Sequence, residues 1–165
     1  MANKNVGTLA GEIKQTKPFG SLAHEALLGL LRTNEMVQNF MIETVGLDGI
    51  TLPQYNVLRI LRGAGPNGLP TLEVADRLVE RTPGVTRMID RLIAKELVVR
   101  QRCTEDRRVV YCKLTDRGRD LLKKYDRPIE RSHRSALNML SRSETRQLVK
   151  LLDKIRAGHE GNGGD

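Results

Sequence analysis

The sequence predicts a mainly α-helical fold with a small β wing, in which a winged helix-turn-helix domain is flanked by long N- and C-terminal helices. Two observations support this fold class. Between Thr71 and Gly118, a short helical pattern and a longer one are followed by two β-rich pieces that a charged tip separates. On both sides of this stretch, apolar residues recur at helical spacing over longer runs than a small globule needs.

The charge balance favours a polyanionic partner. The chain has 165 residues, enough for one domain with a real core, and its 28 basic and 20 acidic side chains give a net charge of +8. The basic excess is concentrated between Arg77 and Arg108. Since net charge bears on association rather than on fold, a solvated face of mixed charge is the alternative explanation.

Other classes of protein are disfavoured by the composition. No apolar run reaches the roughly 18 residues that span a membrane, and the first residues show no secretory signal, so a cytoplasmic protein without a membrane partner is expected. Two Phe, three Tyr and no Trp leave little surface for stacking single-stranded nucleic acid. The sequence carries no Ser-His-Asp set, P-loop or metal-ligand spacing, so we expect no catalytic residue, metal or cofactor.

The two ends of the chain differ in composition from the middle. Residues 1–18 are polar and contain glycine, which predicts a flexible N-terminal arm, and the Gly-rich residues 158–165 predict a disordered tail. Residues 19–157 between them are expected to form a single domain.

The compact part of that domain, residues 52–115, is predicted to be the DNA-binding lobe of the winged helix-turn-helix. It begins with a helix at Leu52-Pro53, for which Thr51 is a candidate N-cap. The helix ends at the breaker cluster of residues 63–68, and Leu69-Pro70 follows as a very short strand.

Two more helices are predicted before the hairpin. Thr71 is expected to cap the first, whose buried residues would be Leu72, Ala75 and Leu78. The second is predicted to start at Thr82-Pro83, because the threonine hydroxyl can accept an orphan amide and proline fits the first helical position. Its buried stripe would be Val85, Met88, Ile89, Leu92 and Ile93. Its outer face would carry Thr86, Arg87, Asp90, Arg91 and Lys95.

The β-formers at 97–100 and 109–114 predict a hairpin with the charged tip Glu105-Asp106-Arg107-Arg108. Helices then occupy 115–157, and the last of them opens on the capping box Ser141-Arg142-Ser143-Glu144.

The long helices at 19–45 and 115–157 are predicted to be dimerisation helices. Their apolar stripes exceed what the compact lobe can cover, and an intertwined two-fold dimer would bury them. A monomeric helix bundle is the alternative.

Four pieces of the sequence occur in an order that is typical of one family. They are the segment LPQYNVL at Leu52–Leu58, the segment VTRMIDRL at Val85–Leu92, the hairpin from Asp106-Arg107-Arg108 to Leu114-Thr115-Asp116-Arg117-Gly118, and Leu140–Glu144 before a leucine-rich helix. Together they resemble the MarR family of bacterial transcriptional regulators. The hairpin is the most specific piece, since it matches the family's D-x-R, a short strand and then L-T-x-x-G.

The resemblance implies a homodimer that binds a pseudo-palindromic operator in double-stranded DNA. The second helix of the helix-turn-helix would enter the major groove. Its reading residues would be Thr82, Thr86, Arg87 and Arg91. Arg108 matches the wing arginine that enters the minor groove. Asp106 matches an acidic residue that can pair with an arginine at the place of Arg91.

Further basic residues are expected to contact phosphates, which adds affinity without sequence information. They are Arg77, Lys95, Arg102 and Arg107. A solvated surface charge is the alternative for Arg100, Arg102 and Arg107. For Arg108 the DNA contact is favoured, because a hairpin tip has no core to serve.

One position departs from the family pattern. The family usually has glycine after the recognition helix, and Glu96 stands at that place here. If the backbone of Glu96 is left-handed, the conformation costs about 1 kcal/mol. The alternative is a helix that ends one residue differently.

Two further features are left open. Cys103 and Cys112 lie on the two predicted strands, where a redox-sensitive pair is conceivable, although two unrelated thiols in a reducing cytosol are favoured. The resemblance also implies a small anionic or phenolic effector bound between the dimer helices and the DNA-binding lobe. Tyr55, Arg59 and Arg62 are nearby in sequence but could equally pack or face solvent, so no ligand-binding residue is assigned.

The predicted function is therefore sequence-specific binding of double-stranded DNA by a transcriptional regulator, more a repressor than an activator, relieved by a small molecule. The alternative is a winged-helix protein-interaction or dimerisation module without DNA binding, and the presence of Arg87, Arg91 and Arg108 argues against it. An enzyme that uses a winged helix for dimerisation would need a cofactor-binding glycine motif, which this sequence lacks.

Overall fold

A computed structural model describes residues 7–45, 49–80, 83–102 and 109–160. Contacts divide the chain into two compact units, residues 1–43 and residues 44–165. The single domain over 19–157 therefore stays a prediction. Within the described ranges, no helix combines the length and the apolar character needed to cross a lipid bilayer.

The first unit contains two helices, α1 over Leu9–Glu12 and α2 over Leu22–Val45. At the start of α1, the hydroxyl of Thr8 accepts a backbone amide hydrogen at 3.3 Å. Glu12 forms an ion pair with Arg32 of α2, with 3.5 Å between Oε2 and Nε. The arm at 1–18 thus includes one helical turn that its composition did not predict.

The described side chains of α2 are largely exposed to solvent. None of its described side chains is fully buried, and Leu22 is 83% exposed. The exposed large apolar residues of this helix are Leu22, Leu27, Leu30, Leu31, Met36 and Ile42. An exposed apolar patch of this kind is typical of a protein–protein interface.

The second unit contains the helix-turn-helix and the wing. Its elements are α3 (Leu52–Ala64), a 3₁₀ turn (Gly65–Asn67), β1 (Leu69–Pro70), α4 (Thr71–Asp76), α5 (Val85–Ala94), β2 (Val98–Arg102), β3 (Val110–Leu114), α6 (Asp116–Ala136) and α7 (Arg142–Glu160). The strands pair antiparallel in the order β1-β3-β2. Mainly helical structure with a small sheet is the predicted fold class, which is confirmed.

The first helix of this unit starts as predicted. The hydroxyl of Thr51 accepts the amide of Gln54 at 3.4 Å, and the side-chain oxygen of Gln54 accepts the amide of Thr51 at 3.1 Å. This reciprocal capping box satisfies two of the amides that a helix start leaves unpaired. The short strand at Leu69-Pro70 is also confirmed.

One apolar core joins the helices of the lobe to the sheet. It is formed by buried side chains of α3, α4, α5, α6 and the strands: Val57, Leu58, Leu61, Val74, Ile89, Leu92, Val98, Cys112, Leu114, Leu122, Tyr125 and Ile129. Each large aliphatic side chain removed from water in this way contributes about 1.5–3 kcal/mol. The buried stripe predicted for α5 faces this core, with Ile89 and Leu92 fully buried.

The buried residues expected for α4 are confirmed only in part, since Leu78 is buried but Leu72 is not. Leu72 is 79% exposed, while Val74 is fully buried beside Leu78. The side chain of Thr71 does not cap the helix either, because the N-cap residue is Pro70. The Thr71 hydroxyl lies 3.5 Å from the Sγ of the buried Cys112 instead, so the core contact fixes the phase of this short helix.

The start of α5 was also predicted incorrectly. The helix begins at Val85, and Gly84 is its N-cap with a φ of 92°. A helix cannot continue through a residue with a positive φ, so Pro83 is not its first helical residue. Thr82, the predicted N-cap, lies outside the described residues.

The end of α5 has the left-handed backbone considered for Glu96, whose φ is 59°. The amide of Glu96 donates to the carbonyl of Ile93 at 2.8 Å, and the amide of Leu97 donates to the carbonyl of Leu92 at 3.0 Å. These two bonds form a Schellman motif, which usually places glycine at the left-handed position. The helix therefore ends where the family pattern places its glycine, with a glutamate there.

Thr115 joins the end of α5 to the start of α6. Its hydroxyl donates to the carbonyl of Glu96 at 2.8 Å and accepts the amide of Gly118 at 3.0 Å. Its own amide donates to the carbonyl of Leu97 at 3.2 Å. A side chain at position 118 would place its Cβ 2.4 Å from that same carbonyl oxygen. The threonine and glycine of the L-T-x-x-G pattern thus hold the two helices together.

The last helix opens on the predicted capping box, which is confirmed. The amide of Ser141 donates to Glu144 at 2.8 Å, and the amide of Glu144 donates to the hydroxyl of Ser141 at 3.3 Å. The hydrogen bonds from the side chain and backbone of Ser141 lower the pKa of the Glu144 carboxyl. The large apolar residues that α7 exposes are Val149, Leu151 and Ile155.

Candidate nucleic-acid interface

The face of α5 that points away from the core is polar and exposed. It carries Thr86, Arg87, Asp90 and Arg91, and we call these four residues the reading face. They occupy two turns of the helix, opposite the buried Ile89 and Leu92. Three of the predicted DNA-binding residues, Thr86, Arg87 and Arg91, are thus brought together.

One acid of the reading face is held by the wing. The carboxylate of Asp90 accepts a hydrogen bond from the guanidinium of Arg100 on β2, with 2.5 Å between Oδ1 and Nη1. This pair was not predicted from the sequence, where Arg100 was expected either to contact DNA or to be a solvated surface charge. Strand alternation could have indicated it, because Arg100 lies on the same side of β2 as the buried Val98, next to α5.

The turn before α5 is held by a side chain of α3. The side-chain oxygen of Asn56 accepts the amide of Val79 at 3.1 Å. Val79 lies between α4 and α5, in the turn of the helix-turn-helix. Asn56 thus holds the start of this turn against α3.

Lys95 lies at the edge of α5 rather than on the reading face. It is the C-cap residue of the helix and lines a shallow groove of about 390 Å³. The other residues that line this groove are Ile50, Leu97, Arg117, Asp120, Leu121 and Lys124. Lys95 is therefore set apart from the four residues of the reading face, at the C-terminal end of α5.

Two more of the predicted phosphate-contact residues are exposed. Arg77 follows α4 and is paired with Glu73 at 2.9 Å, while Arg102 is exposed at the end of β2.

Thr82 and the residues of the wing tip lie outside the described residues. The tip includes Cys103, Asp106, Arg107 and Arg108, so the predicted pair of Asp106 with Arg91 also falls outside the described part.

The three residues considered near an effector differ in exposure and in contacts. Arg62 donates two hydrogen bonds to the carboxylate of Asp126, each of 2.9 Å, and they raise the pKa of the guanidinium. Tyr55 is buried, and its burial raises the pKa of its hydroxyl. Arg59 is exposed, and its positive charge partly offsets that rise in the pKa of the Tyr55 hydroxyl. Arg62 and Tyr55 thus contribute to the contact between α3 and α6.

The described residues contain no cluster of three or more His, Cys, Asp or Glu side chains placed to hold a metal ion. Cys112 is fully buried in the core, and its partner across the β2–β3 ladder is Arg100.

Three helices followed by a two-stranded wing, with a polar face on the third helix, define a winged helix-turn-helix protein. Residues 50–110 match the model of the MarR family. A solved structure of a MarR transcription factor from Planctomyces limnophilus is 40% identical, with a TM-score of 0.63 over 82% of this chain and 98% of that one. The chain belongs to the MarR family.

Two other proteins extend the comparison. A MarR mutant from E. coli, solved in complex with operator DNA, is 28% identical, with a TM-score of 0.71 over 82% of this chain and 99% of that one. The HTH-type transcriptional repressor MdtR of Bacillus subtilis is 35% identical over 102 residues, or 62% of this chain. The match spans 64% of the length of that repressor.

Proposed function

We propose that this protein is a cytoplasmic, sequence-specific DNA-binding transcriptional regulator that acts as a repressor. The observation that carries the proposal is the reading face, where Thr86, Arg87 and Arg91 are exposed on a helix of 10 residues whose opposite side packs on the core. Arginine suits this role because its guanidinium can bind the O6 and N7 atoms of guanine together. The similarity to a repressor and to a protein solved on its operator supports the proposal.

In the proposed complex, α5 enters the major groove and the wing reaches the adjacent minor groove. Thr82 would join the reading face, and Arg108 would enter the minor groove, where Asp106 would brace it through Arg91. The phosphate contacts would come from Arg77, Lys95, Arg102 and Arg107.

The proposed active form is a homodimer on a pseudo-palindromic operator. The exposed apolar residues of α2 and those of α7 are the surfaces that support it. Each is more apolar than a solvated helix surface requires, and two-fold symmetry would also place two copies of α5 at the spacing of successive major grooves. We further propose that a small anionic or phenolic effector relieves repression, as the family membership suggests.

Selection of binding sites from a random-sequence duplex pool tests the proposal. We expect the pool to converge on a two-fold related motif, and the affinity for it to fall steeply as salt is raised. A pool that stays random would overturn sequence-specific binding and favour a winged-helix interaction module.

Replacing Arg108 by Ala tests the wing assignment. We expect at least a tenfold loss of affinity for the selected DNA, because a guanidinium in a narrow minor groove of negative potential is lost. The dimer, followed by analytical ultracentrifugation, should be unchanged. An R108A variant that binds like the parent would show that the wing does not enter DNA.

A further inference from the structure

The reading face contains one acidic side chain among its basic ones, and this acid has two available partners. Asp90 lies three residues after Arg87 on α5, so the two side chains are neighbours on the helix surface. An ion pair between them would neutralise Arg87 and occupy the guanidinium. An unpaired Asp90 would instead place a negative charge where phosphates approach.

The structure resolves this choice in favour of the wing. Arg100 holds the Asp90 carboxylate at 2.5 Å, and Arg87 takes part in no ion pair or hydrogen bond through its side chain in the described part of the chain. The register of the sheet explains the reach of Arg100. It pairs with Cys112, which is fully buried, so both side chains lie on the face of the sheet that packs on the helices.

We propose that Arg100 is a positioning residue, and that the Asp90–Arg100 pair sets the specificity of DNA reading by keeping Arg87 available for a base edge. The inference rests on the proposed DNA-binding function. Arg100 acts through Asp90 and not by touching DNA. The side chain of Asp90 is 51% exposed and that of Arg100 is 34% exposed, so the pair contributes little to the stability of the fold. Its effect therefore falls on DNA recognition.

The experiment uses the variants Arg100→Met and Asp90→Asn, alone and combined, in the full chain. Methionine keeps an apolar stem for packing and removes the charge, while asparagine keeps the shape of Asp90 and removes its charge. Affinity is measured for the duplex that the parent selects from a random pool and for a scrambled duplex of the same composition. The thermal midpoint of each variant is measured in parallel.

For R100M we expect about a tenfold loss of affinity for the selected duplex, the worth of one bidentate arginine–guanine contact, and a loss of under about threefold for the scrambled duplex. In the combined variant, the affinity for the selected duplex should return to within about threefold of D90N alone. Coupling of this kind is what a double-mutant cycle detects.

Equal losses on both duplexes, or the same loss from R100M with and without the D90N change, would show that Arg100 is an independent phosphate contact and overturn the proposal. Arg102→Met is the matched control, since Arg102 lies two residues further along the same face of β2. It should weaken binding to both duplexes alike and reduce the salt slope by about one. A parent protein that selects no sequence would instead overturn the proposed function itself.

Discussion

The two ends of α5 are held in different ways. At its start, Gly84 has a φ of 92°, and a Cβ built there meets no heavy atom within 4 Å. At its end, Glu96 has a φ of 59° in a crowded junction with Thr115, Arg117 and Gly118. The first end depends on the conformational freedom of one glycine. The second depends on contacts that hold a glutamate in a conformation it disfavours.

The difference shows where the position of the reading face is determined. An open glycine lets the chain turn but fixes nothing around it, so the turn needs the separate hydrogen bond from Val79 to Asn56. The C-terminal junction combines two backbone hydrogen bonds, a threonine hydroxyl and an ion pair. We therefore expect substitutions at the two ends to have unequal effects on stability.

The largest effect is expected for Gly118→Ala at the crowded end. The new Cβ would lie 2.4 Å from the carbonyl oxygen of Leu97 and 2.7 Å from a methyl group of Leu114, so the backbone must shift. Overpacking of this kind, partly offset by the higher helix propensity of alanine, should lower the free energy of unfolding by about 2 kcal/mol. Urea titration at a fixed protein concentration measures it.

Gly63→Ala is the control for that substitution. Gly63 lies in α3, and a Cβ there meets no heavy atom within 4 Å. The variant should be as stable as the parent or more stable by up to about 1 kcal/mol. If both alanine variants change the urea midpoint equally, the junction is not crowded in solution.

A smaller effect is expected for Gly84→Ala at the open end. Alanine at a positive φ costs about 1–2 kcal/mol, and the reduced entropy of the unfolded chain returns about 0.4–1 kcal/mol. The free energy of unfolding should fall by about 1 kcal/mol, less than for the substitution at position 118. A loss as large as that one would contradict the difference between the two ends.

The smallest effect, and of opposite sign, is expected for Glu96→Gly. Relief of the left-handed strain should stabilise the protein, while the greater entropy of the unfolded chain and the loss of the exposed ion pair with Arg117 act against it. A net gain of about 0.5 kcal/mol is expected in the same urea titration. A destabilised variant would show that the contacts of Glu96 outweigh its strain.

The fold could be predicted from the sequence where local signals were strong. The capping residues Thr51 and Ser141, the apolar stripe of α5 and the short strand at Leu69-Pro70 all depend on residues close together in the chain. One error, the buried face of α4, occurred where a contact distant in sequence decides. Leu72 was expected in the core, but Val74 takes that place. A helix of six residues is too short for its apolar spacing to define its phase from sequence alone.

The candidate site could be predicted only in part for the same reason. The spacing of Thr86, Arg87 and Arg91 identified the exposed face of α5, since helical periodicity is a local property. The pair between Asp90 and Arg100 depends on the phase of a helix and the register of a strand together. The hydrogen bond between Asn56 and Val79 joins residues 23 positions apart, and no local pattern indicates it.

That last hydrogen bond has a geometric consequence, because it connects α3 to the turn that precedes α5. A helix of 10 residues is about 15 Å long, and the junction with Thr115 fixes one end of α5. A rotation of about 5° around that end would carry the other end through about 1.3 Å, which is enough to break a hydrogen bond to a base. Because Asn56 holds Val79 in the turn before that end, we expect a small tilt of α3 to shift the turn and change which bases α5 can reach.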